Sequence, residues 1–182
     1  VAAKEVFVGT SDALTGRIAV CGAVTAGANA YLNTVNKAGG IHGRQIRYEV
    51  LDDGYSTQRA IGNVRRLVSQ DKAFALFSGC GTATGAAVLS AIERESIPYL
   101  FPFVGLDAMV QPPKKNVFSL LPLYGEQLTT ILDYVAKNRN VKTAALSMIT
   151  IAGNEGWTKA VRAKLQALGI QLVDEQFIVV TA

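Results

Sequence analysis

The residues best suited to bind a ligand follow three predicted strands, in loops rich in glycine and small polar side chains. The first loop contains Ser11, Asp12, Thr15 and Gly16; the second contains Gly79, Cys80, Gly81, Thr82 and Thr84; the third contains Phe103, Val104 and Gly105. In an open parallel sheet, ligands bind beyond the carboxyl ends of the strands, where the strand order reverses. The sequence therefore predicts one binding site built from these loops.

All three loops lead toward, or lie beside, the start of a predicted helix. A helix N-terminus presents unpaired backbone amides and a partial positive charge, and both attract anions. We therefore expect the ligand to carry a carboxylate, held by backbone amides and by the hydroxyl of Thr82.

A glycine pattern in the second loop, Gly79-x-Gly81-x-x-x-Gly85, invites a dinucleotide-binding interpretation. The dinucleotide fingerprint needs Gly or Ala three residues after its second glycine, and Thr84 occupies that position. The fingerprint also follows the first strand of its fold, whereas this pattern follows the third predicted strand. The sequence therefore predicts neither a nucleotide nor any other cofactor.

Catalytic arrangements are poorly supported. His42 lies in a glycine-rich turn, Gly40-Ile41-His42-Gly43-Arg44, where a lone imidazole has no orienting partner. The G-x-S-x-G nucleophile motif is absent from the sequence. Asp52 and Asp53 precede Gly54 and a helix start, so we expect them to cap that turn. We predict no catalytic residue and a protein that is not an enzyme.

Cys21 and Cys80 are the two cysteines, and neither belongs to a C-x-x-C motif. With one histidine in the chain, no metal site is predicted. Cys80 precedes a predicted helix N-terminus, which lowers the pKa of a thiol. Two interpretations stay open: Cys80 lines the ligand site as a thiol, or it forms a disulfide with Cys21 in an oxidising compartment.

The apolar pattern alternates between short strands and helices. The predicted strands are 5–9, 46–51, 74–78, 97–101, 117–120, 143–148 and 170–177, and the predicted helices are 18–37, 56–69, 84–95, 125–137 and 155–168. Apolar strands that alternate with helices predict an α/β fold with parallel sheets flanked by helices. Ser56 is a predicted helix N-cap, and Phe101 is a predicted core residue.

A seam after the Pro112-Pro113 loop divides the chain into a first lobe, 1–121, and a partial second lobe, 122–182. The second lobe has two predicted strands, too small a sheet to cover its helices. We therefore expect the second lobe to be incomplete in this chain. Phe103 and Tyr124, in a loop and at the seam, suit a core or a ligand pocket equally well.

Composition excludes several classes of function. Of the residues, 49% are hydrophobic and 18% charged, which permits a sizeable core and argues against disorder. No apolar run is long enough to span a bilayer. The net charge of +4 comes from scattered basic residues, so no nucleic-acid partner is predicted. The chain opens without a signal peptide, and we expect one to have been removed.

Five motifs occur in the order and spacing of one known family. They are Gly9-Thr10-Ser11-Asp12-Ala13-Leu14-Thr15-Gly16, Ala38-Gly39-Gly40-Ile41-His42-Gly43-Arg44, Leu51-Asp52-Asp53-Gly54-Tyr55, Phe77-Ser78-Gly79-Cys80-Gly81-Thr82-Ala83-Thr84 and Ile97-Pro98-Tyr99-Leu100-Phe101-Pro102-Phe103. Together they resemble the type I periplasmic binding proteins, in the leucine/isoleucine/valine-binding branch of ABC-importer receptors. The resemblance covers essentially the whole chain.

The resemblance implies a two-lobed fold that traps a small carboxylate-bearing molecule between its lobes. It further implies a periplasmic protein, which we expect to be a monomer, that delivers its ligand to an ABC permease in the membrane. The same fold also serves signalling, so a ligand-sensing domain of a receptor or regulator is the alternative.

The ligand contacts implied by the resemblance come from both lobes. They are Ser11, Cys80, Gly81, Thr82, Phe103, Val104, Gly105, Tyr124 and Asn154. Thr82 matches a Ser or Thr whose hydroxyl meets the ligand carboxylate. The stretch Phe103-Val104-Gly105 lacks a hydroxyl, and Ala152-Gly153-Asn154 lacks an aromatic residue that family members often carry. Both departures favour an aromatic or aliphatic acid over an α-amino acid.

Overall fold

The computed structural model describes residues 4–151 and 153–178. The chain divides into two compact units, Val1–Leu121 and Pro122–Ala182.

The described part of the first unit forms a five-stranded parallel sheet in the order β2-β1-β3-β4-β5. The strands are β1 Glu5–Asp12, β2 Gln45–Asp52, β3 Ala75–Phe77, β4 Tyr99–Leu100 and β5 Val117–Phe118. The helices are α1 Gly22–Lys37, α2 Thr57–Arg65 and α3 Thr82–Glu95. Right-handed crossovers place α1 on one face of this sheet and α2 and α3 on the other.

The strand order reverses between β1 and β3. The chain leaves β1 in one direction to reach β2, and it leaves β3 in the opposite direction to reach β4. The connections beyond the two carboxyl ends therefore diverge and leave a crevice between them. This is the location that the sequence predicts for the ligand.

The core of the first unit fills the space between the sheet and helices α2 and α3. Its fully buried apolar side chains are Leu67, Leu76, Ile92, Val104 and Met109. Helix α1, on the other face, buries only Thr25 along its length. Helices α2 and α3 therefore hold β3, and with it the loop after β3, against the core.

Several element boundaries differ from the sequence prediction. Strand β1 extends to Asp12 because it pairs along its whole length with β2, so Ser11 and Asp12 belong to the strand. Helix α1 begins at Gly22, after a 3-10 turn at Ala19–Cys21. Helix α3 begins at Thr82, two residues earlier than expected, which brings Thr82 into its first turn.

Two local predictions have opposite outcomes. Ser56 is confirmed as the N-cap of α2, since its hydroxyl accepts a hydrogen bond from Arg59 N at 3.4 Å. The prediction that Phe101 is a core residue is wrong, because its side chain is 46% exposed. Its backbone has a φ of 58°, which ends the two-residue strand β4 and turns the ring outward.

The second unit contains helices α4 Tyr124–Arg139 and α5 Asn154–Ala167 and strands β6 Thr143–Ile149 and β7 Gln171–Ile178. Within residues 122–151 and 153–178, β6 and β7 pair in parallel as a two-stranded sheet. Val161, Leu165 and Ile170 form the buried centre of this unit.

No helix in the described ranges is both long and apolar enough to cross a membrane.

A disulfide joins Cys21, just before α1, to Cys80 in the loop after β3, with a Cα–Cα distance of 5.5 Å. Of the two interpretations of Cys80, the structure therefore supports the disulfide and excludes the free thiol. The bond closes a loop over a sequence separation of 59 residues. Closing a loop of this size restricts the unfolded chain and stabilises the fold.

Truncation of the core beneath the predicted site is expected to destabilise the first unit. Leu76 lies in β3 and is 1% exposed, whereas Phe74, just before the strand, is 54% exposed. Leu76→Ala should lower the free energy of unfolding by about 2–5 kcal/mol because it leaves a cavity. Phe74→Ala is the matched control and should cost about 0.5 kcal/mol or less. Urea unfolding of the full-length protein checks this, and equal costs for the two variants would contradict the assigned core.

Reduction of the disulfide should lower the free energy of unfolding by about 2–4 kcal/mol, because the unfolded chain regains conformational freedom. The measurement is urea unfolding with and without a reductant, with mass spectrometry to verify reduction. The Cys21→Ala/Cys80→Ala double variant is the control and should not respond to the reductant. A reduced wild-type protein that unfolds at the same urea concentration as the oxidised protein would count against this role.

Candidate functional site

The carboxyl ends of β1 and β2 are joined by a buried network around Ser11. The Ser11 hydroxyl donates to Asp53 Oδ2 at 2.7 Å and accepts from Asn63 Nδ2 at 3.1 Å. Asp53 is fully buried, and its Oδ1 accepts from Tyr55 N at 2.8 Å. Burial raises the pKa of Asp53, and the Ser11 hydroxyl opposes that rise. These bonds hold Ser11 in one position on the rim of the crevice.

Asp52 fixes the loop after β1 from the neighbouring strand. Its Oδ1 accepts from Leu14 N at 2.9 Å, Thr15 N at 3.1 Å and Gly54 N at 2.9 Å. The Thr15 hydroxyl donates to Asp52 Oδ2 at 2.6 Å and is the main reason that the pKa of Asp52 is lowered. The structure thus confirms that Asp52 and Asp53 cap the turn between β2 and α2, where each accepts a backbone amide.

The loop after β3 follows a left-handed course that only glycine adopts readily. Ser78, Gly79 and Gly81 have φ values of 67°, 96° and 126°. A Cβ atom on Gly79 would lie 2.7 Å from Thr10 Oγ1, and one on Gly81 would lie 2.5 Å from Thr84 Oγ1. Both glycines are therefore required by backbone conformation and by close packing. Both glycines are buried, and their carbonyl oxygens accept hydrogen bonds from Phe103 N and Gly85 N, each at 2.8 Å.

Cys80, between those glycines, is held from three sides. Its side chain forms the disulfide with Cys21, and its amide donates to Asp12 Oδ1 at 3.2 Å. Its backbone also forms a parallel bridge with Phe103, whose amide donates to Gly79 O at 2.8 Å. The loops after β1, β3 and β4 therefore meet at Cys80, as the sequence predicts.

The loop after β3 delivers the chain directly to the first turn of α3. Gly81 is the N-cap residue of that helix, and Thr82 is its first residue. Amides in the first turn of a helix have no acceptor within the helix, and glycine offers no side chain to accept them. The residues before the first helical hydrogen bond, Thr82-Ala83-Thr84, include no acidic residue, and Gly85 N makes that first bond to Gly81 O at 2.8 Å. This helix terminus is therefore chemically suited to an anionic group.

In the loop after β4, Phe103 is partly exposed whereas Val104 is buried. Phe103 is 39% exposed, so its ring is accessible beside the loop after β3. Val104 is 1% exposed and packs against Gly85, where an added Cβ would lie 3.0 Å from Val104 Cγ2. Val104 therefore belongs to the core, and its carbonyl oxygen accepts a hydrogen bond from the Ser119 hydroxyl at 3.3 Å. Gly105 is also buried.

A small cavity of about 10 Å³ lies where the loops after β1 and β3 meet. Its polar lining includes Ser11, Asp53, Gly81, Thr84 and Tyr99. This volume accommodates about one water molecule. The loops after β1 and β3 are therefore closely packed where they meet.

In the second unit, Tyr124 and Asn154 stand at the first residues of α4 and α5. The Tyr124 ring packs on Trp157 with a centroid distance of 4.8 Å. Asn154 is 7% exposed, and its Nδ2 donates to Ile149 O at 3.1 Å. This bond ties the end of β6 to the start of α5. Ala152, in the stretch that lacks the aromatic residue often found in the family, lies outside the described residues.

Asn63 and Tyr99 belong to the site region although sequence patterns gave no reason to expect them there. Asn63 Nδ2 contacts Leu51 O and Asp52 O as well as Ser11. Burial raises the pKa of Tyr99, whose hydroxyl lies beside Gly79. The one available signal was weak: asparagine is a poor residue for a helix interior. His42, in contrast, lies in an exposed turn as predicted.

The chain matches one protein family along nearly its whole length. Residues 5–182 match the family model described as periplasmic binding protein. The chain is 25% identical over 167 residues to Leu/Ile/Val-binding protein homolog 3 of Brucella melitensis, covering 91% of this chain and 45% of that protein. The chain therefore spans about half the length of that relative.

Two solved structures share the fold. A branched-chain amino acid ABC transporter protein from Thermus thermophilus with bound valine matches with a TM-score of 0.85 and 22% identity, over 96% of this chain and 46% of that one. A solute-binding protein from Rhodopseudomonas palustris in complex with 3,4-dihydroxybenzoic acid matches with a TM-score of 0.82 and 18% identity, over 96% and 47%. Because the family model covers nearly every residue, this chain belongs to the periplasmic binding protein family.

Proposed function

We propose that this chain is part of an extracytoplasmic solute-binding protein of an ABC importer, and that it binds a small carboxylate-bearing molecule. The observation that carries the proposal is the glycine turn after β3, which opens onto the start of α3 at the reversal of strand order. In this role the protein acts as a binder in the periplasm and not as an enzyme.

Thr82 and the backbone around Gly81 and Gly105 are the proposed anchors of the ligand carboxylate. The start of α3 supports this assignment because its first turn carries no acidic side chain and its amides point away from the helix. The Thermus thermophilus protein binds valine and the Rhodopseudomonas palustris protein binds 3,4-dihydroxybenzoic acid. These two ligands differ in most respects, but each carries a carboxylate.

The remainder of the ligand is proposed to be aromatic or aliphatic. The exposed ring of Phe103 and the absence of a hydroxyl in Phe103-Val104-Gly105 favour an apolar group beside the carboxylate. Ser11 has its hydrogen bonds committed to Asp53 and Asn63, so it shapes the rim. Cys80 contributes backbone, since its sulfur is in the disulfide.

Tyr124 and Asn154 are the proposed contacts from the second lobe. Both begin helices, so each stands beside backbone amides that suit a polar ligand group. The proposed mechanism is hinge closure, in which the ligand favours the closed form through contacts with both lobes. The closed form would then deliver the ligand to a membrane permease, and the binding protein would act as a monomer.

Loss of the Thr82 hydroxyl is expected to weaken binding. Thr82→Ala should raise the Kd by roughly tenfold, because a hydrogen bond to a charged group is worth about 1.5–3 kcal/mol. Isothermal titration calorimetry on the full-length protein, with L-leucine, L-isoleucine, L-valine and 3,4-dihydroxybenzoate as probes, measures this change.

Thr34→Ala is the matched control, since Thr34 is an exposed helical threonine whose hydroxyl donates to Ala30 O at 3.2 Å in the same unit. It should leave the Kd unchanged. An unchanged Kd for Thr82→Ala would remove Thr82 from the site. Failure of every carboxylate probe to bind the wild-type protein would contradict the proposed ligand class.

A further inference from the structure

We propose that Asp12 is a positioning residue of the site. Its buried carboxylate holds the peptide group of Cys80 and so sets the direction in which Gly81 and Thr82 leave β3. The effect on ligand affinity rests on the function proposed above, whereas the effect on the loop does not.

Asp12 joins the ends of three strands. Its side-chain Oδ1 accepts from Ala13 N at 2.9 Å and from Cys80 N at 3.2 Å. Its backbone oxygen accepts from Leu14 N at 3.1 Å and from Asp53 N at 2.9 Å. One residue at the end of β1 therefore fixes its own loop, the end of β2 and the loop after β3.

The hydrogen bond from Cys80 N holds the backbone of Cys80, whereas the disulfide holds its side chain. The disulfide does not itself bond to the Gly79–Cys80 peptide group, which Phe103 N holds through Gly79 O and Asp12 holds through the Cys80 amide. The Asp12 carboxylate specifies that the Cys80 amide points inward. With that amide committed, the left-handed turn at Gly81 directs the following peptide groups toward the start of α3.

A buried carboxylate that holds a loop carries a free-energy cost, because its charge is removed from water. Asp12 is fully buried beside the Thr25 hydroxyl, and within residues 4–151 and 153–178 its Oδ2 accepts no hydrogen bond of ordinary geometry. Burying a charged oxygen without a partner costs free energy, and a neutral side chain of similar shape avoids that cost. Stability alone therefore does not account for an aspartate here, whereas the positioning role needs only the shared acceptor that Oδ1 gives to two amides.

The groups around Asp12 do not neutralise it. Asp53 faces it from the end of β2, and the phenols of Tyr48 and Tyr99 face it from β2 and β4. Burial raises the pKa of Asp12, against the opposing effects of the Thr25 hydroxyl and the amides of Cys80 and Ala13. The nearby charge of Asp53 adds to the rise.

The raised pKa of Asp12 decides how its contribution to folding stability changes with pH. Because the folded-state pKa lies above the ordinary value of 3.8, the contribution of this carboxyl to stability is complete below pH 3.8. It is lost as the pH rises through the folded-state pKa. Asp12→Asn keeps one oxygen acceptor and removes the charge, so at neutral pH it should melt at the wild-type temperature or higher.

The test uses full-length wild-type protein and its Asp12→Asn and Asp12→Ala variants. Two-dimensional ¹H–¹⁵N NMR follows the amides of Cys80 and Ala13 between about pH 8 and about pH 3, a range that spans carboxyl titration. In the wild type both amides should shift with one common midpoint above 3.8, and Asp12→Asn should abolish that titration. Asp71→Ala is the control, since Asp71 pairs with Arg66 in an exposed ion pair of the same unit.

Asp12→Ala should accelerate hydrogen exchange at the Cys80 amide by at least roughly tenfold and raise the Kd of the carboxylate probes by at least roughly tenfold, the loss of a charged hydrogen bond. Asp12→Asn should recover most of that affinity, and Asp71→Ala should not change it. Equal affinity of Asp12→Ala and the wild type, or a Cys80 amide indifferent to pH, would overturn the proposal.

Two further outcomes distinguish the positioning role of Asp12 from the proposed carboxylate ligand. If Asp12→Ala does not fold, the comparison of wild type with Asp12→Asn decides, because a shared titration of both amides supports the positioning role and its absence overturns it. If no carboxylate probe binds the wild type, the proposed ligand class fails, while the amide titration still decides whether Asp12 positions the loop.

Discussion

The reversal of strand order between β1 and β3 is the constraint on which the rest of the first unit depends. Adjacent parallel strands whose connections diverge leave their carboxyl ends uncovered. The chain must close that gap with loops that have little side-chain bulk and many internal hydrogen bonds. Asp12, Asp53 and Ser11 provide those bonds on one side, and the glycine turn after β3 provides the narrow backbone on the other.

The two sides of the crevice are held by different kinds of bond. The side formed by β1 and β2 is held by side-chain carboxylates that accept several amides each. The loop after β3 is held at Cys80 by a covalent bond, a side-chain hydrogen bond and a backbone bridge. A loop fixed in this way loses little conformational entropy when a ligand binds, and such preorganisation favours affinity.

Much of this arrangement could be predicted from the sequence, because it depends on local patterns. Alternating apolar strands and helices predicted parallel sheets, and Ser56, Asp52 and Asp53 occupied turn positions that their chemistry explains. The glycines after the third predicted strand also predicted a tight turn that leads into a helix, and the structure has that turn at Gly79 and Gly81 before α3. These features need only neighbours within a few residues in sequence.

The remaining features depend on contacts between distant residues. The partner of Cys80 was open because 59 positions separate it from Cys21. The extension of β1 to Asp12 follows from pairing with β2 and not from the residues of β1 themselves. Phe101 looked like a core residue because of its type, but a left-handed backbone turned its ring outward. Asn63 reaches Ser11 from α2, a contact that no local pattern encodes.

A crystal structure of the full-length protein grown with 3,4-dihydroxybenzoate or L-valine would show directly where a carboxylate binds. We expect density for the ligand in the crevice between the loops after β1 and β3. The ligand carboxylate should lie about 3 Å from backbone amides at the start of α3. A ligand bound elsewhere, or one whose carboxylate faces away from Gly81 and Thr82, would show that the start of α3 is not the carboxylate site.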